Sequence, residues 1–500
     1  MKSRILVVFG ALWLIALIPI WWPRFLPLLD IPHHLTAIAI WHRLDDPSWG
    51  YSRFYTLNLL PVPYWTYFAS VHLLAYVLPL EIANKVMMSL YALLLPVGAA
   101  QLGYRMGRSP WLGLFAFPFV FNSNFSFGFV TFCLGMVMFL FGVIALDRFM
   151  REPSARRAFA LAAMAILGYL THLFTWVVFG VAALGLLWCY GLRIKRMAVA
   201  AAAMLPSVAL AIYGFAAAQT GSTEVQRGPL HWHARYASLG GSLREFSHYT
   251  LTNWHGGPVR TILIVLACAW FALFVSGLRQ RNREEPLLFR YRLEWVVLVS
   301  AGAALLLPVH LYSPIDVWLI GFRFFSLTAM LIALLPYGPM TRVRALCLVP
   351  VVAVAVAYPI GLGNHWRRFS DRAESVPRLM RNVPRGSSTL TLLVGDRGDV
   401  DADPLAVAYN DFASYPQFFS GGFDPYVLQT GFPVVTRRDR ALPAPPWSAH
   451  QQFSFDLHGR YYDYLMIHRE PAVYSLLPGR EQQAPLIAED GDWKLYRVIH

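Results

Sequence analysis

The sequence predicts an α-helical polytopic membrane protein with a C-terminal extracytoplasmic α/β domain. Its 500 residues are 57% hydrophobic and only 14% charged, whereas soluble domains carry about 25% charged residues. Apolar runs recur up to residue 363, and a membrane crossing needs about 20 such residues. After residue 363 the pattern changes to short apolar strands, at residues 389–394, 462–467 and 493–499, separated by Pro and Gly clusters. We therefore expect about 11 to 12 transmembrane helices in residues 1–363 and a soluble domain in residues 364–500.

The apolar runs set the order of the predicted helices. The first, 5–22, follows Lys2 and Arg4 and ends in Trp-Trp-Pro, which favours a retained membrane helix over a cleaved signal peptide. The later runs cover residues 64–79, 84–101, 111–121, 129–146, 158–170, 173–190, 198–215, 259–277, 293–311, 319–337 and 345–361. Run 64–79 is short and is ended by Pro79 and Glu81, so whether it crosses the membrane stays open.

The distribution of charge predicts the orientation. The net charge is +14, and residues 1–363 contain 27 Lys and Arg against 12 Asp and Glu, while the remainder contains 15 against 16. Most basic residues of the first part lie at the N-terminus or in alternate short loops, which the positive-inside rule assigns to the cytoplasm of a bacterial inner membrane. The C-terminal domain then lies outside. Its balanced charge excludes a nucleic-acid partner.

The first outer loop holds the most informative cluster. Apolar residues recur at helical spacing over residues 30–44 (DIPHHLTAIAIWHRL), which predicts an amphipathic helix on the membrane surface. Asp30 precedes Pro32 and suits a helix N-cap, but a carboxylate there has also the chemistry of a general base. His33 and His34 either lie among lipid headgroups or bind phosphate. If a divalent metal is bound, Asp30 and His33 are its predicted ligands.

Three further residues lie at the outer ends of predicted helices. His172, in YLTHLF, either faces an outer cavity or only marks a turn. Arg323 is seven residues beyond Asp316 in SPIDVWLIGFRFF, and a cation inside an apolar helix needs an anion. Either Asp316 forms an ion pair with Arg323, or the guanidinium group holds a lipid-linked phosphate. We take His33, His34, His172, Asp316 and Arg323 as candidate substrate-binding residues.

Three stretches carry a resemblance to a known family. LLDIPHHLTAIAIWHRL, FNSNFSFGFVTFCLGM and YLTHLF, with the many predicted spans and the outer α/β tail, resemble the GT-C superfamily of polytopic glycosyltransferases, of which this chain looks like a diverged bacterial member. The resemblance implies a sugar donor linked to polyprenyl phosphate and a catalytic acid in the first outer loop, which matches Asp30. Family members often carry two acids there. Here Ile31 follows Asp30, so no second acid is carried over.

The leading functional hypothesis is therefore a membrane glycosyltransferase in the cell envelope. Its partners are membrane lipid, a lipid-linked sugar donor, and a saccharide, lipid or protein acceptor. Two alternatives stay open: a transporter or flippase of lipid-linked saccharide, and a non-catalytic protein of envelope assembly. A transporter predicts repeated halves and broken helices at the midplane, which the sequence does not display, whereas an enzyme predicts polar residues gathered at one interface.

Overall fold

The computed structural model describes the chain except residues 1, 192, 221–232, 281–284, 314–315, 424, 427–433, 439–440 and 471–474. Its helices of ten or more residues are Lys2–Ala16 (α1), Ile31–Arg43 (α2), Trp65–Leu74 (α3), Leu80–Arg105 (α4), Val130–Arg151 (α5), Ala155–Thr171 (α6), Leu173–Cys189 (α7), Ile194–Thr220 (α8), Val259–Gly277 (α9), Arg292–Leu306 (α10), Ile320–Ala333 (α11) and Val349–Ala373 (α12). Shorter helices are Ile18–Trp21, Ser123–Ser126, Leu239–Glu245, Leu287–Arg290, Arg342–Leu346, Ser375–Met380 and Tyr415–Ser420.

The helical part has the length and composition of a membrane domain. Among the described residues, six helical segments are long and apolar enough to cross a membrane. They contain α1, α4, α5, α8, α9 and α12, while α7 and α11 are shorter apolar helices. The predicted class of polytopic helical membrane protein is confirmed. The number of helices of spanning length is smaller than the predicted count, because several of the apolar runs form helices of 10 to 17 residues.

Run 111–121, which we predicted as a membrane helix, does not form an α-helix. Run 111–121 forms two 3₁₀ segments, Pro110–Ala116 and Pro118–Val120, buried beside α4. Pro118 has no backbone N–H and its ring obstructs the preceding turn, which disfavours a continuous α-helix at this point. The contact is also close, because a Cβ on Gly113 would lie 2.5 Å from Ala100 Cβ. The apolar character of this run therefore reflects burial inside the protein.

The C-terminal region contains the predicted β-sheet. Nine strands are described in the chain: Tyr55–Leu57 (β1), His233–Arg235 (β2), His310–Ser313 (β3), Val317–Trp318 (β4), Thr389–Leu393 (β5), Val435–Arg437 (β6), Tyr464–His468 (β7), Leu486–Asp490 (β8) and Trp493–Arg497 (β9). The last region forms a sheet in the order β5-β7-β9-β8, in which β5 and β7 are parallel and the other pairs are antiparallel. Strands β5 and β7 are buried along their whole length.

The first outer loop is joined to this C-terminal region. Strand β1 pairs antiparallel with β6, and Tyr51 and Tyr55 are buried in one apolar cluster with Leu390 and Leu465 of the sheet. Helix α2 packs against the C-terminal segment 410–420 and against α3 and α4. It therefore has no single polar face open to water, in contrast to the amphipathic surface helix that we predicted.

The division into residues 1–363 and 364–500 stays a prediction. Helix α12 runs without a break through residue 364 and ends at Ala373. Two arginines near its end bind Asp401 of the C-terminal region, with Arg368 Nη2 2.7 Å from Asp401 Oδ1 and Arg372 Nη2 2.8 Å from Oδ2. These ion pairs hold the pKa of Asp401 down at about 2, against the opposing effect of its burial. The last membrane helix is thus fastened directly to the C-terminal region.

Candidate active site

The candidate site is built around Asp30, and a buried loop sets the position of its backbone. This loop, residues 122–128, precedes α5, and its carbonyl groups accept hydrogen bonds from the chain before α2. Leu29 N lies 3.0 Å from Ser126 O, and Asp30 N lies 3.1 Å from Phe127 O. Gly128 has φ +74°, and a Cβ there would lie 2.6 Å from Asp30 N. Only glycine permits this approach.

The carboxyl group of Asp30 faces a second acid. Among the described residues it makes no capping hydrogen bond to α2, although Asp30 occupies the N-cap position; the predicted capping role is therefore wrong. The negative charge of Asp411 acts on the side chain instead. Desolvation, and then repulsion by Asp411, raise the pKa of Asp30 above its usual range, and the charges of His33 and Arg323 only partly oppose this.

Asp411 is held by polar groups from two parts of the chain. His33 Nε2 lies 3.3 Å from Asp411 Oδ2, and Asn410 Nδ2 lies 2.8 Å from Asp411 Oδ1. The other ring nitrogen of His33, Nδ1, is 2.7 Å from Ser414 Oγ. Thr36 Oγ1 also donates to Ser414 O at 2.9 Å. Helix α2 and segment 410–414 therefore form one hydrogen-bonded unit.

His34 lies beside this unit in an aromatic environment. Its ring centroid is 5.5 Å from that of Tyr67 and 5.3 Å from that of Phe68. Burial, with the nearby His33, lowers the pKa of His34 to about 3. It is therefore neutral at physiological pH, and a charged contact with a phosphate is unsuited to it.

Arg323 lies near Asp30, whereas Asp316 does not join the group. Helix α11 begins at Ile320, so Asp316 belongs to the preceding hairpin, where its Oδ1 is 2.6 Å from His310 Nε2. The alternative of an Asp316–Arg323 ion pair is wrong for this reason. Arg323 donates from Nε and Nη2 to Trp318 O at 3.1 and 2.8 Å, and its Cζ lies 3.7 Å from the Phe129 ring centroid.

His172 is fully buried. Neither of its ring nitrogens has a hydrogen-bond partner within the described residues, and its ring centroid is 5.2 Å from that of Tyr64. Tyr64 has φ +75°, an unusual value for a residue with a side chain. His172, Tyr64 and Arg323 are near enough to interact electrostatically. A buried imidazole with two open nitrogens is suited to a polar ligand.

The residues do not form a metal centre in the described part of the chain. No group of three or more His, Cys, Asp and Glu side chains there could hold a metal ion. Zinc sites have three or four protein ligands, so the described residues do not by themselves form a zinc site.

A cavity of about 320 Å³ adjoins the same buried loop. Ser126 Oγ is 2.7 Å from Thr252 Oγ1, and next to it Asp403 Oδ2 accepts from Asn253 N at 3.0 Å. Asp403 and Asn253 line the cavity. Burial raises the pKa of Asp403 to about 6, despite these hydrogen bonds. Loop 122–128 therefore contacts the backbone of Asp30 and, through Ser126 and Thr252, the segment that lines this cavity.

Two acids of this region escaped the sequence analysis. Asp411 and Asp403 lie in a loop-rich tail with many other acids, and no local pattern distinguishes them. Asp411 reaches Asp30 only through tertiary structure, since His33 and Ser414 are 381 residues apart along the chain. The run YNDFASYPQFF, which is apolar and aromatic within that tail, was the one available signal that segment 410–420 is buried.

Comparisons with known proteins give one informative structure. No protein-family model matches the chain, and no curated protein sequence does so either. The crystal structure of ArnT from Cupriavidus metallidurans bound to undecaprenyl phosphate is similar, with a TM-score of 0.51 and 10% sequence identity. The alignment covers 99% of this chain and 98% of that chain. The chain therefore shares the fold of that structure over almost its whole length.

Proposed function

We propose that this protein is an inner-membrane glycosyltransferase that moves a sugar from a polyprenyl-phosphate donor to an extracytoplasmic acceptor. The observation that carries the proposal is the position of Asp30. It is partly buried, it is not used to cap its helix, and it lies with His33 and Arg323 at one end of the helical part. ArnT, which shares the fold, was crystallised with undecaprenyl phosphate, so a lipid phosphate is the ligand class that we expect.

Asp30 is the proposed general base. An acceptor hydroxyl is a weak nucleophile, and a carboxylate that takes its proton as it attacks the anomeric carbon accelerates the reaction about 10²- to 10⁴-fold. The donor's bond from the anomeric carbon to the phosphate oxygen breaks, and polyprenyl phosphate leaves with the bonding electrons. The proton remains on Asp30, so charge and atoms balance.

Arg323 and His172 are the proposed phosphate-binding residues. Arg323 is oriented by Trp318 O and Phe129, and the open ring nitrogens of His172 supply further donors or acceptors. A guanidinium group stabilises the negative charge that develops on the leaving phosphate. His33 acts through Asp411, and Asp316 has no proposed role at the site.

The test compares Asp30→Asn with Asp45→Asn, an exposed acid just beyond α2. Full-length protein in liposomes receives a panel of undecaprenyl-phosphate-linked radiolabelled sugars and a bacterial envelope extract as the source of acceptors. We expect Asp30→Asn to reduce transfer about 10²- to 10⁴-fold, to bind undecaprenyl phosphate with unchanged affinity and to keep its thermal midpoint. Asp45→Asn should match the wild type.

Two results would contradict this proposal. Full transfer by Asp30→Asn would remove Asp30 from the chemistry. Absence of transfer by the wild type from every donor of the panel would favour the transporter or assembly alternative, and a flipping assay with the same labelled lipids would then distinguish those two.

A further inference from the structure

The cavity beside loop 122–128 has no part in the proposed reaction, and its walls are polar. Its volume of about 320 Å³ is within the range of small-molecule pockets, about 300–1,000 Å³. It lies between the segment 247–261, which leads into α9, and residues 403–405 of the C-terminal region. Helix α9 is long and apolar enough to cross a membrane and begins at Val259. We therefore expect the cavity to lie close to the membrane surface.

A buried acid lines this cavity. Asp403 is only 2% exposed, and each of its oxygens accepts a hydrogen bond from the backbone. Leu405 N lies 3.0 Å from Asp403 Oδ1, and Asn253 N lies 3.0 Å from Oδ2. The two oxygens of an ionised carboxylate can accept about four hydrogen bonds in all. Asp403 therefore keeps capacity for the donors of a ligand.

The Asn253 side chain presents a donor to the same cavity. Its Oδ1 is buried and has no hydrogen-bond partner within the described residues. This oxygen lies against Gly257, where a Cβ would approach it to 2.4 Å. Because the oxygen is enclosed and the residue lines the cavity, we place the Nδ2 end of the amide at the cavity. Asp403 and Asn253 thus offer an acceptor and a donor next to each other.

The segment that carries Asn253 is held firmly by its neighbours. Thr252 Oγ1 donates to Asn122 O at 2.9 Å, and the Tyr358 hydroxyl group of α12 donates to Thr252 O. The Trp254 ring stacks on Tyr358, with the two centroids 6.2 Å apart. The polar groups of the cavity are therefore positioned before a ligand arrives, which lowers the entropic cost of binding.

The lining favours a neutral ligand with several hydroxyl groups. Ser247, His248 and Thr261 also line the cavity, and each of these side chains can both donate and accept hydrogen bonds. A hydroxyl group has the same two capacities, so adjacent hydroxyl groups of a sugar match this mixture of groups. A phosphate group would meet the like charge of Asp403. The cation in the lining, Arg260, is exposed.

We propose that this cavity is a saccharide-binding site that holds the sugar part of the acceptor. Its position supports the assignment, because loop 122–128 joins it to the candidate site. Phe127 O accepts from Asp30 N at 3.1 Å, and Ser126 Oγ is 2.7 Å from Thr252 Oγ1, next to Asn253. The assignment to the acceptor rests on the proposed function, whereas the binding of a saccharide is measured without any reaction.

The first test measures this binding directly. Full-length protein in detergent receives the methyl glycosides of glucose, galactose, mannose, rhamnose and N-acetylglucosamine, and saturation-transfer NMR reports which of them bind. We expect the wild type to bind at least one. Asn253→Ala removes a hydrogen-bond donor and should raise the Kd of that glycoside about 2- to 10-fold. Asp403→Asn removes a charged acceptor and should raise it about 10- to 100-fold.

The matched control is Asn364→Ala, at an exposed residue of α12 outside the lining, which should bind the glycoside like the wild type. In Asp403→Asn the new amide group faces a backbone N–H group, so this variant is used only if its thermal midpoint shows that it folds. Asn253→Ala breaks no side-chain hydrogen bond within the described residues, and it decides the question alone if Asp403→Asn does not fold.

The second test uses transfer, with the bacterial envelope extract as the source of acceptors. Both cavity variants should raise the amount of extract needed for half-maximal transfer by the same factors as the glycoside Kd and leave KM for the donor unchanged. If the wild type transfers no sugar but binds a glycoside that Asn253→Ala weakens, the saccharide site stands and the proposed reaction fails. If transfer occurs with an unchanged requirement for extract in both variants, the reaction stands and this inference fails.

Three binding results would also overturn the inference. The first is that the wild type binds none of the glycosides. The second is that neither cavity variant weakens the binding. The third is that inorganic phosphate displaces the glycoside at a lower concentration than a second glycoside does, which would identify the cavity as an anion site.

Discussion

The partly buried Asp30 and the fully buried Asp147 lie near opposite ends of α5 and have different neighbours. Asp147 is fully buried, and both of its oxygens are paired, with Arg105 Nε 2.6 Å from Oδ2 and Arg151 Nε 2.9 Å from Oδ1. The Tyr190 hydroxyl group also donates to it. Asp30 instead meets another acid. A carboxylate that only supports the fold is neutralised by its neighbours, whereas one left with a like charge is a candidate for chemistry.

The distance between the two aspartates follows from the helix between them. Residues 130–147 of α5 rise about 26 Å at 1.5 Å per residue. This is close to the thickness of the hydrocarbon core of a bilayer, about 30 Å. We therefore expect Asp30 and Asp147 to lie near opposite faces of the membrane. Basic residues are concentrated around Asp147.

The largest expected effect is a difference in labelling between the two sides of the membrane. In a background with the four native cysteines replaced by Ala, Arg156→Cys lies in the exposed first turn of α6, and Gln482→Cys lies on the exposed C-terminal surface. A membrane-impermeant maleimide added to intact spheroplasts should label Gln482→Cys and leave Arg156→Cys unlabelled until the membrane is opened. The reverse pattern would place Asp30 in the cytoplasm and remove the proposed extracytoplasmic acceptor.

Replacing Asp147 should lower the stability of the protein much more than replacing Asp30. Asp147→Asn leaves Arg105 and Arg151 without their buried counter-charge, and breaking such a pair destabilises a protein by about 3–5 kcal/mol. The matched change Asp30→Asn removes a repulsion, so we expect it to cause no loss of stability. Thermal unfolding in detergent at pH 7.5 measures both. Equal losses in the two variants would show that Asp30 is a structural acid like Asp147.

A smaller effect is expected for Arg323, which lies at the Asp30 end of α5. Hydrogen bonds to charged groups contribute about 1.5–3 kcal/mol, so Arg323→Lys, which loses the planar fork of donors, should reduce transfer about 10- to 100-fold and raise KM for the donor. The control is Arg53→Lys, a change at an exposed residue between α2 and α3. An unchanged KM in Arg323→Lys would assign Arg323 to packing against Phe129 and Trp318.

The sequence predicted the class of fold well because composition and charge determine it. Long apolar runs and basic loops are local properties, and so are the strands of the C-terminal sheet, three of which were predicted near β5, β7 and β9. Run 111–121 was misjudged because an apolar run that is buried inside a protein resembles one that crosses a membrane. The edge strand β8 was missed because it is largely exposed.

The site was less predictable, because its contacts are distant in the chain. The sequence singled out Asp30 and His33 through their shared loop, and their functional roles stay predictions. The Asp316–Arg323 pair assumed that one helix continued through both residues, but a hairpin ends there and α11 begins only at Ile320. Asp411 could not be found by spacing, because a contact over 381 residues depends on how the whole chain folds.

The 381 residues between His33 and Ser414 also determine when Asp411 can first approach Asp30 during biosynthesis. A ribosome that adds about 5–20 residues per second makes Ser414 roughly 20–75 s after His33. Throughout that interval α2 is already at the membrane, and Asp30 has no second acid beside it. The nascent chain meets the lipids of the bilayer before its site is assembled, so we expect it to stay inert until segment 410–414 has emerged and folded onto α2.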